Sequence, residues 1–271
     1  MAVTSFQSSI LKLLAGHRQA IGESYVAGGV ALNLLLNASR RSRDIDLFHD
    51  TEHALRESWR MDRECLVSAG YRLDVFRESP SFVEARVIRE GEQTELQWVR
   101  DSAFRFFPLI EDDRLGLALH PFDLATNKVL AMAGRLEVRD WVDLLQADAS
   151  VQPLGLLVWA ACGKDPGYNP ASLLAAIRRH HYSQEEINML DFDDEPPQAA
   201  DLGSRWHAAL NETASFFNLL PAEQAGTCVL ADSGTLFNGS CQNLAAELAK
   251  NKVVFHKGHI VDQTLGVCSA V

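Results

Sequence analysis

Asp44 and Asp46 stand two residues apart in an apolar run, Asp44-Ile45-Asp46-Leu47-Phe48. In a β-strand, residues i and i+2 point to the same face. The two carboxylates would then project together while Ile45 and Leu47 bury on the other side. Carboxylates held side by side repel each other unless they share cations. Mg²⁺ binds one or two carboxylates together with substrate phosphates, so the pair points to metal-assisted chemistry on a phosphate. Taken alone, the pair also fits a solvated strand end.

The elements that must position this pair can be read on either side of it. Tyr25-Val26-Ala27 makes a short apolar strand, and Gly28-Gly29 lets the chain turn tightly and brings bare backbone close to a ligand. Residues 30–36 read as a helix whose N-terminus faces whatever lies beside the glycines, where free N–H groups and the helix dipole favour phosphate. A Gly-Gly pair alone is an ordinary turn; its place between this strand and the Asp-x-Asp strand makes a phosphate cradle the better reading. Further on, Leu124, Val129, Leu130 and Ala133 mark a helix on which Lys128 and Arg135 are seven apart on one face. Asp140 and Asp143 share a face of the next helix. Lys128 as a point charge and Arg135 as a bidentate fork could hold a triphosphate. Asp143 could orient Lys128 or accept a proton from an attacking hydroxyl. Solvated ion pairs on a helical hairpin are the competing account.

The order Gly-Gly then Asp-x-Asp resembles the signature of the nucleotidyltransferase superfamily related to DNA polymerase beta. Ala27-Gly28-Gly29-Val30-Ala31-Leu32 and Arg41-Ser42-Arg43-Asp44-Ile45-Asp46-Leu47-Phe48 look most like its AbiEii/AbiGii toxin branch. The stretch from Asp123 to Arg135, followed by Arg139-Asp140-Trp141-Val142-Asp143, is similar to the later motifs of that branch. The resemblance covers residues 20–148. It implies transfer of a nucleoside monophosphate from a nucleoside triphosphate to a hydroxyl, with two Mg²⁺ ions (Mn²⁺ being the alternative). It also implies a role as the toxin of a toxin–antitoxin pair, a cognate antitoxin protein as partner, and an RNA such as a tRNA end as acceptor. The site it implies has Asp44, Asp46 and Asp143 as catalytic residues, and Gly28, Gly29, Lys128 and Arg135 on the nucleotide.

Two departures from the pattern stand out. The gap between Gly29 and Asp44 holds fourteen residues, which an extra helical turn or a longer loop would absorb. Such enzymes also place a third acid on a neighbouring strand. Here the strand is Thr94-Glu95-Leu96-Gln97-Trp98-Val99, whose alternation sets Glu95 and Gln97 on one face. Glu95 is expected to join Asp44 and Asp46 as a metal ligand; with Gln97 in that place the site has only two acids. Asp74 is a weaker candidate.

Composition agrees with a cytoplasmic enzyme. The chain has 271 residues, enough for a large domain or two smaller ones. No apolar run is long enough to span a membrane, and the first residues lack the layout of a secretory signal. Five scattered cysteines without a Cys-x-x-Cys read as reduced thiols. A net charge of −11 argues against a general nucleic-acid binder. Locally, Arg40, Arg41 and Arg43 before the Asp pair, and Arg100, Arg105 and Arg114 after the Glu95 strand, could form a cationic rim.

The expected fold is α/β (α+β). A nucleotidyltransferase-type mixed sheet flanked by helices occupies residues 1–120. A mainly helical domain with a small β element near its end follows over 121–271. Helices are expected over 6–14, 52–69, 154–161, 170–181, 183–190 and 199–219, a hairpin over 73–88, and a linker or exposed loop over 191–198. Two other functions fit the same residues. One is a nucleotidyltransferase acting on a small molecule of the antibiotic type, against which an electropositive groove long enough for RNA would count. The other is a non-catalytic binding protein on the same scaffold.

Overall fold

The computed structural model describes residues 3–135, 137–178 and 182–260. The chain opens with α1 (Ser5–Ile21), whose N-terminus is closed by a reciprocal Thr4/Gln7 capping box and whose end is marked by Gly22 at φ +73°. Next come β1 (Ser24–Ala27), α2 (Gly28–Leu35), β2 (Asp44–His49) and α3 (Glu52–Ser68). Three long strands follow: β3 (Arg72–Ser79), β4 (Phe82–Arg89) and β5 (Glu92–Arg100). Short strands β6 (Phe104–Arg105), β7 (Ile110–Asp112) and β8 (Gly116–Ala118) complete this half.

Seven of these strands form one sheet in the order β3-β4-β5-β2-β1-β8-β7. The β2/β5 and β1/β8 pairs are parallel and the others antiparallel, so the sheet is mixed. Along β2, residues alternate between buried and half-buried, with Ile45, Leu47 and His49 on the buried side. Leu96 and Trp98 of β5 extend that side, and α1 and α3 cover it through Ile10, Leu14, Leu55 and Trp59. The Trp59 and Trp98 rings meet edge to face at 4.7 Å. One face of the sheet is thereby a closed apolar core, which leaves Asp44 and Asp46 on the other.

The remainder is mainly helical: α4 (Pro121–Gly134), α5 (Val138–Ser150), α6 (Leu154–Ala161), α7 (Pro170–Ile177), α8 (Gln184–Asn188), α9 (Ala199–Leu219) and α10 (Cys241–Ala249). Every residue of α6 is buried, as suits an eight-residue segment that is apolar all round. It lies inside a second core with Phe122, Met132, Trp141 and Leu144. Strands β9 (Thr227–Ala231) and β10 (Val253–Lys257) pair antiparallel, and β11 (His259–Ile260) pairs with β6. The small β element near the end therefore folds back on the junction between sheet and helices. There His256 Nε2 lies 2.6 Å from the Phe106 carbonyl oxygen.

Two expectations need correction. Helix α2 ends at Leu35, so a loop absorbs the long Gly29–Asp44 gap and the expected helix over 30–36 starts two residues early. Residues 191–193 are not a free linker. Arg41 N donates to the Asp191 carbonyl and Asp193 N to the Ser39 carbonyl, both at 2.8 Å. This backbone stitching ties the helical part to the loop that carries the arginines. The basic run Arg179-His180-His181 lies outside the described residues.

Candidate active site

A cavity of about 560 Å³ separates the open face of the sheet from α4 and α5. Asp44 and Asp46 form part of one wall, Lys128 and Arg139 part of the other, and Gly28 and Gly29 an end. The start of β2 is fixed from two sides. Gln7 Nε2 of α1 donates to the Ser42 carbonyl at 2.9 Å, and Thr94 Oγ1 of β5 donates to the Arg43 carbonyl at 3.0 Å.

The glycines are required by what packs against them. Gly28 sits at φ +62°, and a Cβ there would lie 1.7 Å from Asp46 Oδ2. Both the left-handed backbone and the carboxylate exclude any larger residue. A Cβ on Gly29 would lie 2.7 Å from Ser42 Oγ and 2.8 Å from Arg40 Nη2. The pair therefore admits the Asp46 carboxylate and the Arg40/Ser42 side chains as well as opening the turn. No side chain caps the N-terminus of α2, and Gly28 and Gly29 line the cavity, an arrangement suited to an anion.

On the sheet wall the charges are only partly compensated. Asp44 accepts from Ser42 Oγ at 3.1 Å through Oδ1 and from Arg139 Nη1 at 3.3 Å through Oδ2. Burial, and then the neighbouring Asp44 charge, push Asp46 up to about 6, against the opposing pull of Lys128, Arg139 and Arg135. Asp46 is therefore the acid whose ionised form a nearby cation would stabilise most directly.

On the helix wall Lys128, Arg135, Asp140 and Asp143 are engaged with one another and with Arg40. Lys128 Nζ lies 2.8 Å from Asp140 Oδ1 and 2.9 Å from Asp143 Oδ2. Arg40 reaches across from the loop before β2 and grips Asp143 with two bonds, at 2.6 and 2.8 Å. Arg135 is the C-terminal cap of α4, in extended backbone just past the helix, and holds Asp140 with bonds of 2.7 and 3.1 Å. Burial opposes the Lys128 charge, but Asp143 and Asp140 outweigh it and raise its pKa above the usual lysine value. Burial likewise opposes ionisation of Asp143, and Lys128 and Arg40 more than offset it, so its carboxyl lies below the usual range. Asp143 has 1 % of its side chain exposed, with Oδ1 and Oδ2 engaged by Arg40 and Oδ2 also by Lys128.

The third acid does not assemble as expected. Glu95 stands opposite Asp44 and Gln97 opposite Asp46 in the β2/β5 register. The Glu95 carboxylate is turned to Arg86, 3.2 Å away, and lines an adjoining cavity, whereas Gln97 lines the one that holds the Asp pair. Among the described residues no group of three His, Cys, Asp or Glu side chains could hold a metal ion. An Arg partner on the next strand holds Glu95 away. Asp74 pairs with Arg72 on the exposed edge strand.

The expected cationic rim is largely neutralised. Arg41 pairs with Asp193, Arg43 with Asp191 and Arg114 with Asp112. Arg105 is buried against Asp50 under the Tyr25 ring. Sequence reasoning missed three contributors: Arg139 on Asp44, Ser42 on Asp44, and Arg40 as the clamp on Asp143. Arg139 was visible beside Asp140 in the motif. Nothing in the spacing shows that it reaches a strand ninety-five residues earlier.

No family model matches the chain, and no curated protein sequence matches it. Among solved structures it is similar to MenT4, a nucleotidyltransferase toxin from Mycobacterium tuberculosis H37Rv. The two share 18 % identity over 80 % of this chain and 87 % of the other, with a TM-score of 0.47. A protein from H. pylori, described as a putative nucleotidyltransferase, is 15 % identical over 76 % of this chain and 91 % of its own, at TM-score 0.46. JHP933 from Helicobacter pylori is 16 % identical over 80 % and 97 %, also at 0.46. With identities and TM-scores this low, the reading of the site rests on its own geometry. Among the described residues no helix is long and apolar enough to cross a membrane.

Proposed function

We propose that this chain is a nucleotidyltransferase, moving a nucleoside monophosphate from a nucleoside triphosphate to a hydroxyl acceptor and releasing pyrophosphate. One observation carries the reading: Asp44 and Asp46 share a strand face, with Asp46 half-buried beside the Asp44 charge, across a cavity from Lys128, Arg135 and Arg139. The donor set fits Mg²⁺, or Mn²⁺, because two hard carboxylates share one strand face and a divalent cation would relieve Asp46, which burial and the Asp44 charge hold above its usual range. Bound there, such ions would neutralise phosphate charge and make an attacking hydroxyl more acidic. Asp44 and Asp46 are the residues that would hold them.

The other side chains position the triphosphate. Lys128, fixed by Asp140 and Asp143, offers a point charge to the phosphates. Arg135, with about half its side chain exposed, offers a fork beside it. Backbone N–H groups at the start of α2 complete the cradle. Of the two roles left open for Asp143, positioning fits its surroundings, since it is sealed between Arg40 and Lys128.

For the acceptor, the motif resemblance supports an RNA end and a toxin role under the control of an antitoxin. A second reading has a specific observation in its favour. The adjoining cavity of about 580 Å³ meets the first at Ser42 and sets Arg41, Arg43 and Arg86 against Glu95, Asp191 and Asp194. Balanced charge of this kind suits a small polar hydroxyl compound better than a phosphate backbone. Incubation with each labelled nucleoside triphosphate, Mg²⁺ or Mn²⁺, and either total RNA or a small-metabolite extract separates these. Label in RNA supports the first and label in small molecules the second. Triphosphate binding without transfer to any acceptor would leave a binding protein on this scaffold. Growth arrest on expression, relieved by Asp46→Ala, is the expected behaviour of a toxin.

A further inference from the structure

Four cations stand around the Asp pair, and three are already committed. Lys128 is held by Asp140 and Asp143 at 2.8 and 2.9 Å, Arg40 by Asp143 at 2.6 and 2.8 Å, and Arg135 by Asp140 at 2.7 and 3.1 Å. Arg139, in the first turn of α5, differs. Its hydrogen bond to an acid is a single contact from Nη1 to Asp44 Oδ2 at 3.3 Å. Its Nε is buried without a hydrogen-bond acceptor, the nearest carboxylate being Glu137 at 3.8 Å. With 32 % of its side chain exposed, the guanidinium has room to turn. A planar five-donor group is thus held by one long hydrogen bond, on the very carboxylate that a divalent cation would need, and by a looser ion pair with Glu137.

We propose that Arg139 is an exchangeable counter-ion: it rests on Asp44 in the free protein, yields Asp44 when a cation arrives, and moves its fork onto the triphosphate that comes with it. The proposal rests on the nucleotidyltransferase reading. Physically it is a swap of partners. Arg139 off Asp44 with no new anion would keep only the loose 3.8 Å pair with Glu137, leaving a partly buried charge poorly compensated, which is costly. A triphosphate supplies that anion, and a bare divalent cation does not. Arg139 should therefore oppose binding of the cation alone and favour binding of the cation–triphosphate pair. A residue that only stabilised the fold would not give these opposite signs.

The test uses the full chain and two probes: Mn²⁺ alone, followed by its electron paramagnetic resonance signal, and a non-hydrolysable α,β-methylene triphosphate with Mg²⁺, followed by calorimetry. Arg139→Gln should bind Mn²⁺ alone roughly three- to tenfold more tightly than the unmodified protein, and the analogue roughly tenfold more weakly. Arg139→Lys, which keeps the charge but loses the fork, should fall between on the analogue. If Arg139→Gln binds Mn²⁺ no more tightly, or weakens both ligands alike, the exchange is overturned while the metal site stands. If Asp46→Asn binds Mn²⁺ as well as the unmodified protein, the metal site fails and the exchange fails with it.

Discussion

The two walls of the cavity are built from the same residue types and treat them in opposite ways. On the helix wall, Asp140 and Asp143 are each gripped by two cations, which fixes Lys128, Arg40 and Arg135 in place. On the sheet wall, Asp44 has one long arginine contact, and burial, then the Asp44 charge, raise Asp46 to about 6. The helix wall is a finished ion network whose members fix one another's positions. The sheet wall is an unfinished one, and what it lacks is positive charge that a ligand can bring. Where charge is left over distinguishes a binding surface from a structural one better than where charge is abundant.

Substitutions should affect the two walls in different currencies. Asp46→Ala should lower nucleotide transfer by about a thousandfold or more, since it removes half of the carboxylate pair, while leaving the unfolding midpoint no lower. Full activity in that variant would remove Asp46 from the reaction. Asp143→Ala should cost stability, by about 3–5 kcal/mol in urea unfolding, because Arg40 and Lys128 would be left buried without their shared partner. A change below about 1 kcal/mol would mean that the network is looser than its geometry.

The smallest effects lie in the pH dependence of stability, where β2 carries opposite behaviour on its two faces. His49, buried beneath Ser24 and the Val99 carbonyl, is lowered by burial to about 4 from 6.5. The unfolded chain takes up this proton near 6.5 and the folded one only near 4. The His49 contribution is therefore full above pH 6.5 and declines as the pH falls toward 4. Asp46 is raised from 3.8 to about 6, so in metal-free protein the folded state holds the extra proton between those values. Its contribution is full below pH 3.8 and declines as the pH rises toward 6. The two slopes oppose each other. His49→Gln should leave stability falling with rising pH between 4 and 6, and Asp46→Asn should leave it rising, each by on the order of 1 kcal/mol. Identical pH profiles for both variants would contradict the assigned shifts.

Much of the fold could be read from local pattern. The alternation in residues 44–48 and 94–99 marked two strands and the correct faces, because a half-buried strand must alternate. Helices α6 and α9 matched their expected bounds because apolar runs and helical spacing are properties of consecutive residues. The Gly28-Gly29 turn before the Asp-x-Asp strand was legible for the same reason. Glu95 was not. Its face and register follow from alternation, but its carboxylate could have gone to the Asp pair or to Arg86, and the β3-β4-β5 pairing that sets Arg86 beside it is a tertiary fact. The segment 191–198, expected as a linker or exposed loop because four acids and two prolines have no apolar period, is a loop; what sequence did not show is that its acids answer Arg41 and Arg43 across the chain.

The sequence by itself determined that two carboxylates share a strand face after a glycine turn, since that depends on backbone periodicity and on residues within a few positions of one another. Only the tertiary structure decided which charges are left for a ligand. Arg40 meets Asp143, Arg139 meets Asp44 and Arg86 meets Glu95 through packing between separate elements. Coulombic compensation depends on distance in space and on burial, and neither is set by spacing along the chain.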